Sequence, residues 1–257
     1  MALTIIVLGA IWVDLSWVTT MLVTLVAVLA GIEGARLFSS VAGRLPEGFV
    51  GVASALAALA AAGVPGPASE ALLILILVLI LGMGAVTLAL GPPAPEALSR
   101  ASALMMVPLY VGLPLGLFAW LRDTSGPAAV TWVIAVVAIS DSAQYFSGRA
   151  FGRRKLAPAV SPAKTVEGAL GGLIVVVAFG GLTSSLVTTG GPAVGAGLAL
   201  SLAAAGIVGD LFESLLKRSA GVKDSSTLIP GHGGVLDRID SHLFAAPAFY
   251  VFQRFMA

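Results

Sequence analysis

Long apolar runs recur along the whole of this 257-residue chain, and they restrict its fold more than any other feature. The mean hydropathy is +1.03, and hydrophobic residues make up 58% of the chain against 11% for charged residues. Inside a bilayer every backbone N–H and C=O group needs an internal partner, so only helices and closed barrels can span it. The apolar/polar alternation of a barrel strand is absent from these runs. The sequence therefore predicts an all-α fold, a polytopic integral membrane helical bundle.

The apolar runs predict about nine transmembrane segments, since a span needs about 20 residues. The first and last segments are shorter than a span, so the predicted count ranges from about seven to nine. The chain start lacks a basic region and a cleavage site, so we interpret it as a membrane segment and not as a signal peptide. We expect residues 1–100 to form N-terminal membrane helices and residues 101–257 to form a catalytic membrane domain. The predicted segments are Leu3–Trp12, Trp17–Phe38, Phe49–Ala62, Ala71–Leu90, Ala101–Leu121, Ala128–Phe146, Gly168–Leu186, Val194–Leu211 and Leu243–Phe255.

Basic residues predict the orientation of these segments. They concentrate in the linkers that follow the second, fourth, sixth and eighth segments, whereas the intervening linkers carry little beyond Arg122. With nine spans, all the basic linkers lie on one side, and the positive-inside rule makes that side cytoplasmic. The two most polar loops, residues 148–166 and 214–241, are then both cytoplasmic.

The stretch from Ser214 to Ser241 holds charges and glycines of a kind suited to phosphate chemistry. Its carboxylates can hold a hard cation such as Mg²⁺, its cations can bind phosphate oxygens, and its glycines let the backbone approach a ligand. His232, among these glycines, is either a phosphate contact or a loop residue satisfied by backbone. The cations are Lys217, Arg218, Lys223 and Arg238; the carboxylates are Asp224, Asp237 and Asp240; the closely spaced glycines include Gly233 and Gly234.

A second acid precedes this stretch. Asp210, Ser214 and Lys217 are spaced at i, i+4 and i+7, which places them on one helical face. Asp210 follows about 18 uncharged residues and so lies near membrane depth, where an isolated acid most often lines a cavity or binds a cation. The alternative is the solvated end of an amphipathic helix.

Two further groups lie around the first polar loop. Asp141 interrupts an apolar helix just before the loop, as either a functional acid or a structural ion-pair partner. Ser161, Lys164 and Thr165 come just before a new helix, whose N-terminus favours anions. Glu167 in the first turn is equally typical of ordinary helix capping, so the functional and structural readings of this group both stay open.

These residues together resemble the phosphatidate cytidylyltransferase, or CDP-diacylglycerol synthase, family. The family pattern is a Ser, two residues, Lys-Arg, four residues, Lys-Asp, then His-Gly-Gly closing on Asp-Arg-x-Asp. Similarity covers about residues 109–241. There are two departures: Ala163 replaces the first Lys and Val166 the Trp of a Lys-Lys-Thr-Trp-Glu run, and Gln144 occupies a normally small position. The matching residues here are Ser214, Lys217, Arg218, Lys223, Asp224, His232, Gly233, Gly234, Asp237, Arg238 and Asp240.

The resemblance implies an enzyme that uses Mg²⁺, assisted by K⁺, to join CTP to phosphatidic acid. It implies catalytic roles for Asp210, Asp237, Lys217, Lys223 and Asp224. It implies metal ligation by Asp210 and Asp237, with Asp141 and Asp224 as further candidates. It also implies a homodimer in a prokaryotic cytoplasmic (inner) membrane, with the active site facing the cytoplasm. The residues expected to bind substrate are Ser161, Lys164, Thr165, Ser214, Arg218, His232, Gly233, Gly234, Arg238 and Asp240.

Two other functions remain open from the sequence. A CTP-dependent lipid kinase of the polyprenol or phytol type would share an Asp…Gly-Arg…Lys-Thr-x-Glu-Gly pattern, although it would lack the C-terminal His-Gly-Gly…Asp-Arg-x-Asp closure. An ion-coupled transporter would use Asp141 and Asp210 as coupling groups. The chain has no Cys and two His, which disfavours a zinc site, and we expect no nucleic-acid partner.

Overall fold

The computed structural model describes residues 2–63, 68–91, 94–229, 231 and 233–256. It confirms the all-α prediction, because helices account for most of these residues and the strands form only one short hairpin. The helices are α1 (Ala2–Trp12), α2 (Ser16–Ala42), α3 (Glu47–Ala61), α4 (Ala68–Ala89), α5 (Ala97–Val107), α6 (Leu113–Phe151), α7 (Val166–Leu182), α8 (Gly191–Ser219) and α9 (Leu236–Met256).

The lengths of the helices support a membrane-spanning bundle. Within the described part of the chain, four helical stretches are long and apolar enough to cross a bilayer: Ser16–Ala42, Glu70–Ala89, Ala97–Phe151 and Gly191–Ser219. Glu47–Ala61 and Val166–Leu182 are apolar but shorter. The protein is a polytopic integral membrane protein, and the predicted number of spans stays a prediction.

Two predicted segments join into one helical stretch that bends. A π-helical turn, Pro108–Gly112, connects α5 directly to α6. Inside α6, Gly126 adopts φ 80° and ψ 176°, and Pro127 follows it. Such a positive φ is readily available only to glycine, and proline cannot donate the next helical hydrogen bond, so the helix breaks there. The predicted segments Ala101–Leu121 and Ala128–Phe146 lie on either side of this break.

The chain forms two compact units, residues 1–123 with 219–238 and residues 124–218 with 239–257. In the first unit, small residues allow close helix packing. A side chain at Gly112 or Gly116 would collide with the backbone of α3 near Ser54 and Ala58. The functional division that we predicted near residue 100 is not tested by this packing and stays a prediction.

The second unit also packs through glycines. A Cβ at Gly180 would meet Gly195 and Ala199, so α7 and α8 approach closely. A Cβ at Gly172 would meet the backbone of Ser140 and the side chain of Gln144, so α6 and α7 approach closely as well. Lipid tails are as apolar as the helix surfaces, so the hydrophobic effect does not drive the helices together. Close packing of this kind is therefore a main source of helix association in membranes.

The first polar loop contains a β-hairpin that the sequence did not predict. Strands β1 (Lys155–Ala157) and β2 (Ser161–Thr165) pair antiparallel, with Lys155 opposite Thr165. The expected loop, residues 148–166, therefore begins as the last turn of α6 and continues as this hairpin. Strands of three and five residues are too short to display a clear alternation of apolar and polar side chains.

The second polar loop is also shorter than predicted. Residues 214–219 complete α8, and α9 already begins at Leu236, so residues 220–235 connect the two helices, and the described residues among them form no helix. We call residues 220–235 the signature loop. Its end is determined by hydrogen bonds to a distant carboxylate, described below.

Candidate active site

An ion pair between Lys164 and Asp210 lies at the centre of the polar cluster of the second unit. Lys164 comes from β2 and Asp210 from α8, and their side chains are 20% and 27% exposed. Ser214, one turn after Asp210, donates a hydrogen bond to Asp210 Oδ1 at 3.3 Å. The structure thus confirms that Asp210 and Ser214 share a helical face, and it brings Lys164 to that face.

Two more carboxylates lie within electrostatic range of this pair. Asp141 of α6 interacts with both Lys164 and Asp210. Asp240 of α9 interacts with Asp210, Asp141 and Lys217. We call Asp141, Asp210 and Asp240 with Lys164 the acidic cluster. Three carboxylates beside one ammonium group leave an excess of negative charge, which favours binding of a further cation.

Gln144, at the position that departs from the family pattern, contacts this cluster. Its Nε2 lies 3.0 Å from Ser140 Oγ and 3.3 Å from Asp141 Oδ1. The amide therefore donates to the carboxylate of Asp141 and helps to fix its orientation.

Glycines on α8 explain how α9 comes so near Asp210. A Cβ at Gly209 would lie 2.7 Å from the backbone oxygen of Asp240 and 2.9 Å from Phe244. Such contacts are closer than real Cβ atoms tolerate, so only glycine permits this approach. The residue next to Asp210 thus allows Asp240 to enter the cluster.

Thr165 has a structural role that accounts for its burial. Its Oγ1 accepts a hydrogen bond from the N–H of Gly168 at 3.1 Å and caps the N-terminus of α7. The same hydroxyl is where a side chain at Gly148 or Gly152 would collide. Substrate binding by Thr165 stays a prediction, whereas its capping of α7 is observed.

Lys217 and Arg218 lie near the end of α8 in different environments. Lys217 is buried and forms an ion pair of 2.5 Å with Glu213, whose side chain is completely buried. Arg218 is exposed, and its Nε donates to the carbonyl of Val160 in the hairpin turn at 3.4 Å. Ser161, which begins β2, is half-buried. Of the two cations, Arg218 is the more accessible to an incoming anion.

Glu167 ties the start of α7 to the end of α6. Its Oε2 accepts hydrogen bonds from the backbone N–H groups of Arg153 at 2.9 Å and Arg154 at 3.1 Å. These hydrogen bonds lower the pKa of Glu167, because they stabilise its charged form. The three residues also line a pocket of about 400 Å³, together with Ala150, Phe151 and Gly152. Glu167 therefore organises the basic turn that precedes the hairpin.

In the first unit, Asp237 closes the signature loop. Its Oδ2 accepts hydrogen bonds from Ser225 N at 2.9 Å, Ser225 Oγ at 2.9 Å and Gly234 N at 2.7 Å. Gly233 has a φ of +78°, and a Cβ there would lie 2.7 Å from Asp237 Oδ2. The positive φ explains Gly233, and at Gly234 a Cβ would collide with Ser225 Oγ and the carboxylate of Glu33. Their predicted contacts with substrate stay predictions.

Glu33, for which the sequence predicts no role in the site, contacts the signature loop. Glu33 lies in α2, is 2% exposed, and its carboxylate lies within hydrogen-bond distance of four donors of the signature loop and the start of α9. A lone acid within an apolar span was the available signal. The sequence alone could not indicate its partner, which lies about 200 residues further along the chain.

The remaining predicted residues lie on the loop surface or outside the described residues. Lys223 and Asp224 are exposed. Arg238 is exposed in the first turn of α9. His232 falls outside the residues that the structure describes, so its role stays a prediction.

The donor chemistry of the acidic cluster fits a hard cation, because carboxylate oxygens are the ligands that Mg²⁺ prefers. Among the residues described, no three acidic or histidine side chains are close enough together to surround a cation by themselves. Mg²⁺ is usually held by one or two carboxylates together with substrate phosphates and water, so a complete protein cage is not required. The predicted metal site therefore stays a prediction, and of its predicted ligands the acidic cluster contains Asp141 and Asp210.

Comparison with known proteins identifies the family. A model of the cytidylyltransferase family matches residues 1–256. The chain belongs to the cytidylyltransferase family. Among curated proteins, this cytidylyltransferase-family chain is 52% identical over 130 residues to a phosphatidate cytidylyltransferase of Haemophilus influenzae. That match covers 49% of this chain and 45% of the relative.

Two other relatives match this chain over similar lengths. A phosphatidate cytidylyltransferase of Brucella suis is 48% identical over 132 residues, covering 51% of this chain and 49% of the relative. An uncharacterized protein of Escherichia coli, YnbB, is 40% identical over 161 residues, covering 62% of this chain and 50% of the relative. The chain spans about half the length of the curated relatives that it matches.

Proposed function

We propose that this protein is a phosphatidate cytidylyltransferase, which transfers the cytidylyl group of CTP to phosphatidic acid and releases pyrophosphate. The whole-chain family match and the relatives that carry this name support the proposal. The observation that carries it is the acidic cluster, in which Lys164 pairs with Asp210 and interacts with Asp141, while Asp240 interacts with both of these carboxylates. Charge of this density at membrane depth is costly and is characteristic of functional sites.

The reaction needs no protein nucleophile, because phosphatidic acid has its own. A phosphate oxygen of the lipid forms a bond to the α-phosphorus of CTP, and the bond from that phosphorus to the bridging oxygen of the β-phosphate breaks. The electron pair leaves with pyrophosphate. Since both reactants are anions, the protein must position them and neutralise their charge.

The cationic and acidic residues divide this work in the proposal. Lys164 and Arg218 neutralise phosphate oxygens near the hairpin, and Ser161 and Ser214 donate hydrogen bonds. One or two of the carboxylates of Asp141, Asp210 and Asp240 would hold Mg²⁺ together with substrate phosphate and water. When bound, Mg²⁺ neutralises phosphate charge and polarises the phosphorus centre. The family resemblance adds Asp237 and Asp224 as ligands, K⁺ as a second ion, and phosphate contacts from Lys217, Lys223, Arg238 and the His232-Gly233-Gly234 segment.

The proposal also includes a location and an assembly. Basic linkers on one side of the bundle support an active site that faces the cytoplasm, in the inner membrane of a bacterium. A homodimer and a surrounding lipid bilayer follow from the resemblance to the family.

The proposal is tested with the purified full chain in mixed micelles with phosphatidic acid, labelled CTP and Mg²⁺. We expect label in the lipid, one pyrophosphate released per lipid formed, and loss of turnover when Mg²⁺ is chelated. Asp210→Asn should lower the rate at least about 100-fold, because a metal ligand is worth at least about 3 kcal/mol in the transition state. Asp123→Asn, which changes an exposed acid, is the matched control.

Other products would contradict the proposal. Release of CDP with phosphorylated lipid would identify a CTP-dependent lipid kinase instead. Ion-coupled uptake by liposomes without CTP turnover would identify a transporter.

A further inference from the structure

Glu33 is a buried acid for which the proposed chemistry has no direct use. It lies in the middle of α2, an apolar helix of 27 residues, and it is 2% exposed. A carboxylate in such a place is costly unless hydrogen bonds or a cation compensate its charge. Its position therefore calls for an explanation in terms of its partners.

The partners of Glu33 come from two adjacent serines within the signature loop and from the junction of the loop with α9. Oε1 accepts hydrogen bonds from Ser226 Oγ at 2.6 Å and Val235 N at 3.0 Å. Oε2 accepts a hydrogen bond from Leu236 N at 2.8 Å and lies 3.1 Å from Ser225 Oγ, whose one proton is shared between Glu33 and Asp237. Each carboxylate oxygen thus connects a serine hydroxyl within the loop to a backbone amide where the loop meets α9. One side chain closes the loop.

The amides of Val235 and Leu236 lie at the N-terminus of α9, where N–H groups have no acceptor within the helix itself. A negative charge at this end is favoured by the helix dipole, so Glu33 caps α9 from a distant helix. Hydrogen bonds to an ionised acceptor are about twice as strong as neutral ones. This cap explains why α9 begins at Leu236.

Asp237 is held by the same arrangement. Ser225 Oγ lies within hydrogen-bond distance of both Glu33 Oε2 and Asp237 Oδ2, and Ser225 N donates to Asp237 as well. Gly234 fits beneath this network, since a Cβ there would collide with Ser225 Oγ and with both oxygens of Glu33. Any movement of Glu33 is therefore transmitted to Asp237 and to the loop that carries Lys223 and Asp224.

We propose that Glu33 is a positioning residue that holds the signature loop and Asp237 in the conformation required for cytidylyl transfer. This inference rests on the proposed function, because it assigns to that reaction a residue outside the family's charged motif. It needs the carboxylate itself, since both oxygens face a backbone N–H group, which can only donate. A glutamine would keep the size of the side chain but place an NH₂ group, itself a donor, against one of these N–H groups.

The test compares Glu33→Gln with Glu47→Gln, a matched change in the same unit. Glu47 pairs with Arg36, and both side chains are about half exposed, so its loss should have little effect. We expect Glu33→Gln to lower kcat at least tenfold with an unchanged elution volume and helical content. Amide hydrogen exchange in residues 225–236 should accelerate at least tenfold, while exchange in α7 and α8 stays the same. Glu47→Gln should change neither measurement.

A second variant covers the case in which Glu33→Gln does not fold. Ser226→Ala removes the shortest hydrogen bond from the loop side and leaves the carboxylate in place. It should accelerate loop exchange in the same segment and lower kcat to a smaller extent. Glu33→Asp, which retains the charge, should recover part of the activity lost in Glu33→Gln.

Several results would overturn the inference. Unchanged loop exchange in both variants would show that Glu33 does not hold the loop. Faster exchange with unchanged kcat would show a merely structural role. The exchange measurement does not use CTP, so it can be read even if the wild-type protein transfers no cytidylyl group. In that event the proposed function fails and the role of Glu33 in cytidylyl transfer fails with it, whereas faster exchange in Glu33→Gln would still show that Glu33 holds the loop.

Discussion

The close approach of α8 and α9 can be tested by adding one methyl group. Gly209→Ala would place a Cβ 2.7 Å from the backbone oxygen of Asp240 and 2.9 Å from the ring of Phe244. Gly206→Ala, one turn earlier on the same helix, would place it 3.5 Å from Ser241, which is ordinary van der Waals contact. Both glycines are buried, so they form a matched pair.

The magnitudes follow from two opposing effects. Replacing glycine by alanine in a helix favours folding by about 0.5–1 kcal/mol at either position. At Gly209 the added methyl also overpacks the interface, which costs about 1–3 kcal/mol. The propensity gain cancels in the comparison, so Gly209→Ala should be less stable than Gly206→Ala by about 1–3 kcal/mol.

Activity should separate the two variants further. Relieving the 2.7 Å contact to an ordinary 3.4 Å requires a shift of about 0.7 Å between Asp240 and Gly209. Because a misplacement of about 1 Å can cost up to about 100-fold in rate, we expect kcat to fall about tenfold or more in Gly209→Ala. Gly206→Ala should retain wild-type kcat.

The assay is thermal unfolding in detergent followed by tryptophan fluorescence, together with turnover of labelled CTP and phosphatidic acid. Equal Tm and equal kcat in the two alanine variants would refute the reasoning, since they would show that α9 does not approach α8 at Gly209. A lower Tm with normal kcat would instead refute the role of Asp240 in the acidic cluster.

Three further predictions follow from other contacts. Asp237→Asn should abolish CTP incorporation, by at least about 100-fold or about 3 kcal/mol, in a protein of normal elution volume; near-normal turnover would exclude Asp237 as a metal ligand. Thr165→Ala should lower stability by about 1 kcal/mol because α7 loses its cap, whereas Thr165→Ser should not, as measured by Tm. The Tm difference between wild type and Glu167→Gln should stay constant above about pH 5 and disappear as the pH falls below 4.5. The reason is that the pKa of Glu167 is lowered in the folded protein, so the stabilisation is lost when this carboxylate is protonated. A constant Tm difference at all pH values would contradict this prediction.

Much of the acidic cluster was predictable because its signals are local. The i, i+4 spacing of Asp210 and Ser214 describes one helical face, and the structure has a hydrogen bond between them. Asp141 was predicted from an acid within an apolar run, which is costly without a compensating role. Lys164 was predicted from the polar residues before α7. That Lys164 pairs with Asp210 could not be predicted, because the pairing depends on how the hairpin packs.

The sequence leaves alternatives open for residues whose contacts cannot be inferred from spacing along the chain. The hydroxyl of Thr165 could have bound substrate or capped a helix, and the structure has it capping α7. Gly233 and Gly234 fit a phosphate-binding loop equally well. Their contacts with Asp237, and with Ser225 and Glu33, also demand small residues. A glycine indicates that space is required, but not which atom takes it.

The sequence by itself determined that this chain lies in a membrane, that its helices follow its apolar runs, and which charged residues carry its family's motif. Hydropathy and residue spacing suffice for this, because the cost of exposing backbone or charge to lipid applies to each segment separately. Only the tertiary structure decided that the carboxylate of Glu33 contacts Ser225 and Leu236, and that the absence of a side chain at Gly209 lets α9 pack closely against α8. Such contacts join residues that are distant along the chain, and their energies depend on a geometry that no single segment specifies.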